Sequence, residues 1–324
     1  MESAPQVMPE PMASPSGRAS SVFIGRQDYV SVLLRLTGME LYKIRRRSMS
    51  KVLSSISIIA TLSLFGLIAL AAFLTIKNGT PAQDVRNLTE ALRLPTSLAL
   101  IEQLLLNLGQ VLIIILVSTI VGGEYTSGTI RLMLTRGPTR TQILLSKVGA
   151  AIACIGLGVV AITFLGVVTG LLLNLTTGVT PSFTFFSAAW SGHVLLYLLI
   201  IMLGLFAYAM MALFLSTLGR ATAAGLAGVL TWSFLIEPVI VVISNFGRNI
   251  SGPTSSFFQS LPDYLIGTNI SALLENQNQY VFPSSPVSQA PAVSDLHALL
   301  VLAAYIAIFI GLACWISMRR DVTH

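Results

Sequence analysis

Two carboxylates, Glu102 and Glu237, stand inside long apolar stretches of this 324-residue chain. An ionisable group at membrane depth is costly and faces protein or a water path. The chemistry open to such a group is cation or proton binding, or a polar lining for a route across the bilayer. Glu102 and Gln103 are followed at helical spacing by Asn107 and Gln110, so the outer half of one apolar stretch is a candidate pathway wall. Glu237 precedes Pro238, whose missing N–H frees a carbonyl one turn earlier and bends or ends a helix. Hydrogen bonding between helices, or solvation near the outer headgroups, is the competing role for both acids.

Catalytic constellations are missing. The chain has no Gly-x-x-x-x-Gly-Lys-Ser/Thr loop to cradle phosphates and no His-Glu-x-x-His. His193, His297 and His324 are scattered, and Cys154 and Cys314 fall within apolar stretches, where a thiol is a small filler. We therefore expect no catalytic residue, no metal site and no cofactor on this chain.

The elements that must position these residues follow from composition. The chain is 54% hydrophobic and only 10% charged, against a charged fraction of about 25% in soluble domains. Six apolar runs are each long enough for a hydrocarbon core of roughly 30 Å: residues 52–76, 98–121, 148–173, 193–218, 221–244 and 298–318. This predicts an all-α, polytopic membrane protein. Residues 1–28, with four prolines among Ser and Ala, read as a disordered tail without the apolar run of a signal peptide. Residues 48–324 form the six-span domain, with a polar loop over 122–147 and a long outer loop over 245–297.

Orientation follows from the basic residues. With both termini inside, fifteen of the nineteen Lys and Arg fall on the cytoplasmic side, a strong positive-inside bias. The net charge of +6 is thus a topology signal and a match to anionic lipid, with no call for nucleic acid. Five Asn-x-Ser/Thr sequons, at Asn78, Asn87, Asn174, Asn249 and Asn269, fall on the expected outer side or its edge.

Two cytoplasmic elements are patterned. Over 29–47, Val30, Leu33, Leu34, Thr37, Leu41 and Ile44 share one helical face while Arg35, Lys43 and Arg46 gather on the other, a basic amphipathic helix expected in the headgroup plane. Between the second and third apolar runs, Gly137-Pro138 is a turn signal. It predicts an elbow of two short helices, Glu124 to about Arg136 and Thr139 to Lys147. Small residues at four-residue spacing, Gly166 and Gly170, then Ala221, Gly225, Ala224 and Gly228, permit close helix approach.

The order Glu124, Gly128, Thr129, an apolar and basic run through Arg131 and Leu134, Pro138, Arg140 and then Lys147 resembles the first cytoplasmic loop of ABC-2 type transporter permeases. The likeness extends more loosely from Tyr29 onward. It implies the six-helix ABC-2 permease architecture, akin to type II exporters, with an N-terminal interfacial helix. It implies that Glu124, Gly128, Thr129, Arg131, Pro138, Arg140 and Lys147 couple to a separate ATP-binding subunit, which would hold ATP and Mg. Arg35, Lys43 and Arg46 would belong to a helix touching the same subunit. It further implies a homodimer or heterodimer of permease subunits, export as the direction, and a prokaryotic cell membrane. A six-span secondary transporter or channel using Glu102 and Glu237 is the leading alternative, though its paired broken helices are not evident; a membrane scaffold is a third.

Overall fold

A computed structural model of the chain describes residues 29–78, 88, 90–128, 138–176, 185–247, 253–282 and 293–319. The expected tail over 1–28 lies outside them, as do Thr129, Arg131 and Leu134 of the elbow. Among the described residues the secondary structure is helical throughout.

We number the helices α1 Tyr29–Arg46, α2 Ser48–Lys77, α3 Ser97–Thr126, α4 Arg140–Thr176, α5 Ala188–Gly219, α6 Thr222–Gly247, α7 Pro253–Ser260, α8 Ile266–Val281 and α9 Asp295–Arg319. Six of them, α2 to α6 and α9, are long and apolar enough to cross a membrane. This agrees with the six predicted spans. The largest boundary difference is at α4, which begins at Arg140 instead of Val148, so the expected helix from Thr139 to Lys147 is the first part of the third span. Thr139 starts it with a reciprocal cap: its N–H donates to Gln142 Oε1 at 2.9 Å, and its Oγ1 accepts from the Gln142 N–H at 3.3 Å.

Glu124 likewise opens no separate helix. It sits in the last turn of α3, which ends when the Ser127 N–H donates to Gly123 O at 3.1 Å and Gly128 takes a left-handed φ of +67°. Glycine adopts that conformation without a Cβ clash, which explains its place after the helix end.

The core is built around α5, which packs against α3, α4, α6, α8 and α9. α5 and α6 form a hairpin whose turn places Arg220 at φ 50°, ψ 28°. At this end α3 and α6 meet backbone to backbone, since a Cβ on Gly122 would lie 2.2 Å from the Thr222 nitrogen. Gly225 is wedged against Ser216, Ser118 and the Ala212 carbonyl. In α4, Gly166 and Gly170 receive Ile101 and Phe65. The small-residue pattern therefore serves packing within one chain at these positions.

Two π turns interrupt the spans. The one at Leu105–Gly109 inserts a residue into α3 and rotates the remainder of the helix by about 100°. The polar set consequently splits instead of sharing one face: Gln103 and Asn107 are exposed, Glu102 is half-buried and Gln110 is buried. The other, Trp232–Ile236, lies just before Pro238. Widening the ladder there makes room for the ring, and of the two outcomes open at Pro238, a bend or an end, the helix does not end: α6 continues to Gly247.

The return segment after α6 runs inward. Ile270 of α8 fills the space over Gly204, sixteen residues into α5 and hence roughly 24 Å along it. The other end of α8 is fixed near the start of α5, where Trp190 Nε1 donates to the Val281 carbonyl at 3.1 Å. Asn269, expected as an outer sequon, is fully buried and donates to the Asp263 and Leu265 carbonyls at 2.8 and 2.7 Å. In this fold its side chain caps the turn that leads into α8.

Candidate functional site

At the end of the bundle that carries Lys43, Arg140 and Lys147, α1 rests on the first turns of α4 and Thr37 lies over Gly149. Leu33, Thr37, Leu41 and Ile44 turn inward, whereas Val30 and Leu34, placed on the same face by the sequence, are 63% and 67% exposed. The inward face also contains Glu40, only 5% exposed.

Glu40 completes a charge cluster across three helices. Lys147 of α4 donates to Glu124 Oε2 at 2.5 Å and lies 3.6 Å from Glu40 Oε1. Lys43 of α1 donates to Glu40 Oε1 at 2.9 Å and to Glu124 Oε1 at 3.4 Å. Glu124, Glu40 and Lys147 are all buried, while the Lys43 side chain is 38% exposed. Taking away one partner of a buried pair costs about 3–5 kcal/mol, because the other charge is left uncompensated. The Lys43 contacts are worth far less, being screened by solvent.

The cluster fastens α1 to both helix ends that flank residues 129–137, namely the end of α3 and the start of α4. Arg140 adds a third attachment, its Nη1 donating to the Ser317 carbonyl at 3.1 Å in the last turn of α9. Such a contact satisfies a carbonyl that has no partner within the helix and complements the negative helix end. Pro138 precedes the Thr139 cap. Arg35 and Arg46 are exposed, Arg46 stacking on Tyr42 with 5.2 Å to the ring centroid. Of the coupling set, the structure thus brings Glu124 and Lys147 together, with Lys43 from the interfacial set. Glu40 was missed by sequence reasoning, although an acid centred among Leu36, Leu41 and Ile44 on one helical face signals a buried partner.

The two intramembrane acids occupy different sites and are engaged by protein. Glu102 accepts a hydrogen bond from the Tyr197 hydroxyl of α5. Glu237 accepts from Trp232 Nε1 at 2.7 Å, from Tyr208 Oη at 3.0 Å and from the Gly267 N–H at 3.1 Å. Asn107 donates to the Gln103 carbonyl of its own helix at 2.8 Å. Among the described residues no group of three His, Cys, Asp or Glu side chains has metal-site geometry.

No curated protein matches the chain significantly. A family model described as ABC-2 family transporter protein matches residues 42–322, from α1 to beyond α9, and the chain belongs to that family as a multi-pass membrane permease subunit.

Proposed function

We propose that this permease works with a separate ATP-binding subunit docked at its basic end, and that ATP-driven closure of the partner drives export. The observation that supports this best is the Glu40, Lys43, Glu124 and Lys147 cluster. A push on residues 129–137 or on α1 reaches both through one charge cluster, and passes to α9 through Arg140. Sites that move as a unit provide a two-state element that a partner can bias. ATP and Mg would be held by the partner. Two permease subunits, identical or related, would enclose the path in a prokaryotic cell membrane, with the basic end and both termini cytoplasmic.

In this reading Glu124, Gly128, Pro138, Arg140 and Lys147 shape the dock, whereas Arg35, Thr129 and Arg131 offer side chains to the partner. Glu102 and Glu237 tie helices together instead of conducting a solute, through Tyr197 and through Tyr208 and Gly267, while Asn107 bonds within its own helix and Gln110 is buried in α3. The test is co-purification with the cognate ATP-binding subunit, comparing wild type with Arg35→Glu and Arg131→Glu. We expect both reversals to weaken capture and abolish transport-linked ATP hydrolysis while the permease still inserts. Capture and coupling equal to wild type in both variants would remove the proposed dock.

A further inference from the structure

α2 meets α4 tightly through Phe65, which packs against Gly166 and Gly170. Toward the basic end the same face of α2 carries Ser50, Ser54 and Ser57, side chains too short to bridge the gap. Opposite them α4 presents Gly158, where an added Cβ would meet nothing within 4 Å. The result is an apolar cavity of about 390 Å³ between α2, α3 and α4. Its α4 wall includes Leu157, 71% exposed, so the cavity opens at the side of the helical bundle.

The cavity continues into a groove of about 820 Å³ under α1, sharing Ile44, Ser50, Ser54, Cys154 and Leu157 with it. This groove is rimmed by Arg45, Arg46 and Lys51. All three cations are exposed, and none forms an ion pair among the described residues. Where groove and cavity meet, Ser50 Oγ is shielded from solvent and has no hydrogen-bond partner among the described residues. Ser54 and Ser57, by contrast, donate to carbonyls of their own helix at 2.8 and 3.0 Å.

A cationic rim, a lone buried hydroxyl and an apolar slot in sequence describe the complement of one kind of molecule. We propose that the groove holds an anionic phospholipid of the surrounding leaflet as a resident ligand. The phosphate lies among Arg45, Arg46 and Lys51 within reach of the Ser50 hydroxyl, and one acyl chain fills the slot beside Gly158. Such a lipid wedges α1 against α2, which otherwise touch little, and so helps to set the position of the helix that carries Glu40 and Lys43. This inference is independent of the ATP-binding partner.

The test uses the full chain in nanodiscs containing phosphatidylglycerol or phosphatidylcholine, each with a diazirine in one acyl chain. After irradiation, labelled peptides are mapped by mass spectrometry. Phosphatidylglycerol should label residues 50–58 of α2 and 154–162 of α4 preferentially, and at least about fivefold more than phosphatidylcholine. The Arg45→Gln/Lys51→Gln double variant should lower that labelling to the phosphatidylcholine level. Gly158→Phe should abolish labelling at 154–162 for either headgroup at unchanged protein abundance. Equal labelling by both headgroups, or labelling spread evenly over the exposed faces of α2, α6 and α9, would overturn the proposal. So would loss of label on ATP hydrolysis by the assembled complex, which would identify a transported amphiphile instead of a resident lipid.

Discussion

The carboxylate of Glu237, on the fifth span, accepts the N–H of Gly267, the second residue of α8, at 3.1 Å. The first amides of a helix have no partner within it, and at membrane depth water does not supply one. A carboxylate at that position satisfies the donor and complements the positive end of the helix. The acid that in the sequence could be a coupling site is, in the fold, what fixes the deep end of a returning helix.

Removing the acceptor should therefore matter more than removing the charge. Glu237→Gln retains an oxygen for the Gly267 N–H and should keep abundance and transport close to wild type. Glu237→Leu leaves buried donors on Gly267, Tyr208 and Trp232 unsatisfied, at about 1–3 kcal/mol for each group that finds no other partner. Yield and thermal unfolding in detergent distinguish the two. A Gln variant with normal abundance and abolished transport would assign Glu237 to the pathway instead.

The buried pair at the other end gives a prediction of different form. Lys147→Met should destabilise the chain by about 3–5 kcal/mol, since Glu124 and Glu40 are left facing each other without their buried cation. Adding Glu124→Gln should recover part of the loss, measured as the coupling energy of a double-mutant cycle. Strictly additive effects in unfolding midpoints would mean that the two side chains do not act as a pair.

Neighbouring glycines in α3 should respond in opposite ways. A Cβ on Gly122 meets the backbone of Thr222, whereas one on Gly123 meets nothing within 4 Å. Gly122→Ala should separate α3 from the α5–α6 turn and cost about 1–3 kcal/mol or more. Gly123→Ala should be neutral or stabilising by about 0.5–1 kcal/mol through helix propensity. Comparable losses in unfolding temperature for both would contradict the close approach.

Arg140 should act on α9 before it acts on any partner. Arg140→Ala should raise amide exchange in the last turns of α9, around Ser317, even in the isolated permease. Unchanged exchange there, together with lost capture of the ATP-binding subunit, would place its role in docking alone.

The proposed orientation can be checked by thiol labelling on a background lacking Cys154 and Cys314. Asn78 and Thr126 are exposed at opposite ends of adjacent spans. A cysteine at position 78 should react with an impermeant reagent applied to intact cells, and one at 126 should not. The reverse pattern would invert the assignment.

Apolar run length was enough to specify six spans, because bilayer thickness sets helix length and hydrocarbon tolerates few charges, and the order of residues from Glu124 to Lys147 carried the resemblance to the family. The sequence also marked Glu124, Lys147 and Lys43, and the small residues Gly166, Gly170 and Gly225 at which helices approach. It could not pair them. Glu40 lies eighty-four residues from Glu124 in sequence, and only the seating of α1 on α4 brings both to Lys147. The π turns before Gln110 and Pro238 rotate or prolong a helix through local hydrogen-bond register, which hydrophobic periodicity does not encode. Trp232 is within reach of Glu237 on its own span, but Tyr208 comes from α5 and the Gly267 N–H only when α8 folds back to the middle of α5, where Ile270 packs over Gly204. Local composition decided which segments enter the membrane, and tertiary contact decided which polar groups meet there.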